Sequence, residues 1–71
     1  MWACKTKVGT FYIVPREDSY EIMFRDDGLG QYATPQQAVD DLVGGHTFSA
    51  GPGIDTSKLG IPDDLGEWDE L

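Results

Sequence analysis

Only one segment of this chain is built to start, run and stop as a helix of several turns, and nearly everything before it is patterned for strands. Thr34 offers an N-cap hydroxyl, and Pro35 takes the first helical position, where no N–H is needed. Gln37 stands three residues after the cap, the spacing of a capping box. Ala38 and Leu42 fall one turn apart, as do Val39 and Val43, while Gln36, Gln37, Asp40 and Asp41 take the opposite face. Gly44 and Gly45 end the run. The spacing predicts a helix over 35–43.

Ahead of it, Trp2, Cys4, Thr6 and Val8 alternate with Ala3, Lys5 and Lys7, which is the period of a strand. Gly9 interrupts as a turn or bulge. Thr10 to Val14 are five strand-formers in a row, stopped by Pro15, and an unbroken run of this kind predicts cover on both faces, at least in part. Arg16 to Ser19 reads as a reversal. Tyr20, Ile22 and Phe24 then alternate with Glu21, Met23 and Arg25, and Asp26-Asp27-Gly28 is expected to be the next turn. Gln31 to Ala33 can pair as a short last strand. The fold class that follows is α+β: a small three- to four-stranded antiparallel sheet with one helix packed on one face and an irregular C-terminal tail. Its expected core is Phe11 or Tyr12, Ile13, Ile22, Phe24, Ala38, Val39 and Leu42.

Residues 1–45 make the strands plus helix, and residues 46–71 a loop-rich acidic tail docked on the same single domain. Ten of the thirteen Gly and Pro residues follow Gly28. In the tail, the segments starting at Asp55 and Pro62 can each make one helical turn. Phe48, Ile54, Leu59, Ile61, Leu65 and Trp68 are spaced like anchors laid across a sheet. Docking of Trp68 competes with a second arrangement, a mobile acidic tail offering Trp68 to a partner.

Size and composition remove many functions. At 71 residues the core supplies no more than roughly 3–5 kcal/mol, so a staple would help. With Cys4 the lone cysteine and His46 the lone histidine, neither a disulfide framework nor the usual four-ligand zinc site is expected. No apolar run reaches the ~20 residues that span a bilayer, and the first residues lack the layout of a signal peptide. Thirteen acids against five bases give a net charge of −8, which argues against nucleic-acid and anionic-membrane partners. The charge is uneven. Residues 1–25 carry four bases and three acids, a net of +1; residues 26–71 carry ten acids and only Lys58, a net of −9.

Catalytic and ligand motifs are weak. His46 follows a Gly-Gly pair, with no nucleophile-elbow pattern around Ser49 or Ser57, so an exposed or capping role is expected. Cys4 lies in a strand, where a buried, inert thiol is the default. Starting a calcium loop at Asp55 puts Leu59 and Gly66 where ligands are required. The glycine-rich run 44–53 lacks the Gly-Lys-Ser/Thr ending of a phosphate loop and follows a helix rather than a strand. No catalytic residue, metal or cofactor is therefore assigned. Asp40 and Asp41 do break a local rule: they sit in the second half of the helix, where the macrodipole favours cations.

The run Gly9-Thr10-Phe11-Tyr12-Ile13-Val14-Pro15, the run from Leu29 to Ala38 and the terminal Glu67-Trp68-Asp69 together resemble a set of short, uncharacterised bacterial proteins of about this length. That resemblance implies a small bacterial, cytoplasmic protein and transfers no site residue. The functional expectation is a non-enzymatic, acidic protein-interaction module, a monomer or weak dimer, meeting a basic protein partner through Asp40, Asp41, Asp63, Asp64 and Trp68. The alternative is a small ligand-binding protein or minor enzyme using a pocket near His46, with Tyr12, Tyr20 and Tyr32 as further lining.

Overall fold

The period-two stretches become a meander. The computed structural model describes all residues, Met1–Leu71. Strands β1 (Trp2–Thr6), β2 (Gly9–Pro15), β3 (Tyr20–Phe24) and β4 (Asp27–Tyr32) precede helix α1 (Pro35–Gly44). Two 3₁₀ turns follow, Thr56–Lys58 and Leu65–Glu67, and then a two-residue strand β5 (Asp69–Glu70). The sheet order is β4-β3-β2-β1-β5, and every pair is antiparallel.

Register follows from what must be buried. Cys4 stands opposite Phe11, and Phe11 opposite Phe24; Trp2 stands opposite Ile13, and Ile13 opposite Ile22. These side chains therefore share one face, and α1 closes it with Ala38, Val39 and Leu42, all fully buried. The Phe11 and Phe24 rings stack with centroids 4.3 Å apart. The choice between Phe11 and Tyr12 thus falls to Phe11. Tyr12, Val14 and Met23 point to the other face and are only half-buried, because no second layer covers it.

The helix begins where its cap predicts. Thr34 Oγ1 accepts from Gln37 N at 3.1 Å, and Gly45 closes the C-terminus in the left-handed region at φ 75°. The helix runs one residue past the expected end, to Gly44.

Three expectations need correction. The sheet has five strands rather than three to four. Two acids carry no strand propensity, but burial of Trp68 brings Asp69 opposite Ala3 and Glu70 opposite Trp2, and Leu71 N donates to Met1 O at 2.8 Å. The turn expected at Asp26-Asp27-Gly28 lies at Arg25-Asp26, closed by the Phe24–Asp27 pair. Arg25, not a glycine, takes the positive φ of 57°. Its guanidinium lies 4.9 Å from the Phe24 ring centroid and donates to Val8 O, contacts that offset the strain. The earlier turn leaves β4 with one extra residue opposite Ile22 and Met23, and that bulge directs Leu29 into the core. Finally, Phe48, expected as a tail anchor, is 73% exposed, whereas Ile61 and Trp68 are buried and Ile54, Leu59 and Leu65 pack against the same core.

Gly9 is required by the packing. Its φ is 135°, and a Cβ there would come within 3.1 Å of the Phe24 ring.

Candidate functional site

The acidic residues are gathered by one glutamine. Gln36 Nε2 donates to Asp40 Oδ1 and to Asp63 O, both at 2.9 Å, and Gln36 Oε1 accepts from Leu65 N at 3.2 Å. The first turns of α1 are thereby stapled to the tail, and Asp40 lies beside the segment that carries Asp63 and Asp64. Asp64 also caps the second 3₁₀ turn, accepting from Gly66 N at 2.9 Å. Asp55 does the same for the first, accepting from Ser57 N at 3.0 Å and Ser57 Oγ at 2.6 Å. The Ser57 hydroxyl and backbone bonds hold the Asp55 carboxyl below its usual range, so it stays charged.

The other expected site residues separate. Asp41 is half-buried and turns towards Tyr32 rather than joining Asp40. Burial first, and then the Asp41 carboxylate, push the Tyr32 phenol up to about 12. Trp68 belongs to the core: it is 5% exposed, with Nε1 donating to Pro62 O at 3.2 Å. A partner cannot reach it while the tail is docked.

Of the thirteen Asp and Glu side chains, only Glu21 is in an ion pair, with Arg16 at 2.9 Å. No three His, Cys, Asp or Glu side chains converge as metal ligands would. Cys4 is buried, and burial, followed by the nearby charge of Asp69, pushes its thiol up, which disfavours the reactive thiolate.

Two hollows lie on either side of Phe48. One, of about 340 Å³, is walled by Gly45, Ser49, Ala50, Ile54, Asp55 and Thr56. The other, of about 230 Å³, lies between the β4 residues Leu29 to Tyr32 and the loop residues His46 and Thr47. Phe48 lines both. The loop is tied to β4 through Phe48 N, which donates to Leu29 O at 3.1 Å. Gly30, at φ 150°, lets the Tyr32 hydroxyl fold back over it, within 2.7 Å of where a Cβ would stand. His46 is exposed at this rim, beside Tyr32, and neither Cys4 nor Ser49 joins them in the same hollow.

The sequence points to the acids and to a pocket near His46 with Tyr32 in its lining, but not to Phe48 as an exposed wall of it. The available signal was Phe48 between the pairs Gly44-Gly45 and Gly51–Gly53, an aromatic in a segment with no period to bury it.

No protein-family model matches the chain, and no curated protein or solved structure is detectably similar to it. No helix is long and apolar enough to cross a membrane.

Proposed function

We propose that the chain is a non-enzymatic interaction module whose acidic surface engages a basic protein partner. The observation that carries this reading is the unpaired charge: twelve of thirteen acids have no ion-pair partner, and Gln36 ties the Asp40 carboxylate to the backbone of Asp63 and Leu65, beside which Asp64 follows in the chain. A net charge of −8 costs the folded state through self-repulsion. A cationic partner relieves that cost and is steered towards the surface, while nucleic acid is repelled. The same repulsion favours a monomer or weak dimer. The bacterial, cytoplasmic setting implied by the resemblance belongs to the same proposal.

The alternative, a ligand pocket near His46, draws support from the hollow that His46 shares with Tyr32. Its chemistry is thin, because the imidazole is exposed and the phenol is held neutral far above physiological pH.

Affinity capture from a bacterial lysate at about 50 mM and about 500 mM salt tests the first reading. The triple variant Asp40→Asn, Asp63→Asn, Asp64→Asn keeps the side-chain acceptors that bond Gln36 and Gly66 while removing three charges. A partner lost both at high salt and with the triple variant supports the module. A partner indifferent to salt and to all three substitutions refutes it.

A further inference from the structure

The two edges of the sheet are treated differently. At one edge β5 has two residues, both acidic, which blunts it against further pairing. At the other, β4 has six residues, Asp27–Tyr32, and no terminal strand follows it. Its outer side already accepts one backbone partner, the Phe48 N–H on Leu29 O. Beyond that point, Gly30 to Tyr32 make no backbone bond outside the sheet. The hollow of about 230 Å³ opens along those residues. Phe48, the most exposed of the large apolar side chains, stands beside it.

The chemistry of the surroundings selects the occupant. No Lys or Arg lines either hollow, whereas Asp55 lines one and Asp41 faces the Tyr32 that lines the other. Asp27 opens the same edge strand and Asp26 lies in the turn before it, and the neighbouring Arg25 is turned away towards Val8. A second copy of this chain would bring these acids against one another. A cationic segment would not.

We propose that the free edge of β4, together with Phe48 and the hollow between them, docks an extended basic segment of a partner protein. The segment pairs its backbone with Gly30 to Tyr32, seats one large apolar side chain against Phe48, and places flanking Lys or Arg near Asp26, Asp27 and Asp41. This rests on the basic-partner reading and adds to the Asp40, Asp63 and Asp64 surface a second contact, at the β4 edge.

The test is an NMR titration of the full chain with a capped heptapeptide of alternating lysine and valine with a central leucine, and with its glutamate counterpart. The lysine peptide is expected to shift amides of Gly30 to Tyr32 and His46 to Phe48. Phe48→Ser is expected to weaken binding by about tenfold or more, and the exposure of Phe48 means that the variant folds normally, which its melting curve verifies. The triple Asn variant at residues 40, 63 and 64 is expected to bind within about twofold of the parent. If the triple variant loses binding while Phe48→Ser retains it, the edge site is wrong and the acidic surface stands. If the glutamate peptide binds as well as the lysine one, both readings fall. No shift along β4 at about 1 mM lysine peptide overturns the edge site outright.

Discussion

Replacing Trp68 by phenylalanine separates a docked tail from a merely adjacent one. The indole is 5% exposed, and its Nε1 donates to Pro62 O at 3.2 Å. It also sets the position of Asp69 and Glu70 against β1. Trp68→Ala would cost about 3–5 kcal/mol, the range for removing a large buried aromatic. A domain of this size has little more than that in its core, so the alanine variant is expected to be largely unfolded at room temperature. Trp68→Phe keeps an aromatic ring in the site. It loses one hydrogen bond, about 1 kcal/mol, and leaves a small void worth about the same again. A total of about 2 kcal/mol lowers Tm by about 8–16 °C in a domain of this length. Circular dichroism melts measure this directly, with Trp2 left as the one fluorophore of its kind. Phe48→Ala is the matched control: it removes another tail aromatic, but one that is 73% exposed, so its cost stays within about 0.5 kcal/mol. A Trp68→Phe variant that melts within about 2 °C of the parent would refute the docked tail, as would a Phe48→Ala variant that is destabilised as strongly.

Two further outcomes follow from the geometry. Gly9→Ala forces a side chain onto φ 135° and to within 3.1 Å of the Phe24 ring, and is expected to cost about 1–3 kcal/mol in a denaturant titration. Tyr32, whose folded-state pKa of about 12 lies above the unfolded value of about 10, contributes stability that is intact below pH 10 and is lost as pH rises towards 12; absorbance at 295 nm should show one late-titrating tyrosine, and Asp41→Asn should move its titration to lower pH.

The sheet and helix were legible because their signals are local and agree with one another. Alternation placed Ile22 and Phe24 on one face, and the Thr34-Pro35 cap set the first turn of α1. What misled was local as well. Asp27-Gly28 carries the strongest short-range turn signal in the chain, yet it lies within a strand. The Phe11–Phe24 stack and the need to bury Leu29 outweigh the strain of a left-handed Arg25. Strand β5 has no local signal at all. Asp69 and Glu70 pair with β1 only because Trp68, one residue earlier, is held in the core.

The candidate site was harder to read for the same physical reason. Charge can be counted from sequence, so Asp40, Asp63 and Asp64 were recognised, but their gathering depends on Gln36, whose two ends reach residues 27 and 29 positions away. Phe48 and Trp68 look alike in sequence, each an aromatic in an aperiodic, glycine-rich tail. Their fates diverge because Trp68 sits one turn beyond Leu65 and near Ile61, which share its packing, whereas Phe48 is pinned by its backbone to Leu29 O with no apolar partner at helical spacing. The anchor is spent on stability, and a core side chain cannot also meet a partner. The aromatic left in solvent, beside the one long free edge of the sheet, has no such obligation, which is why binding is assigned to Phe48 and stability to Trp68.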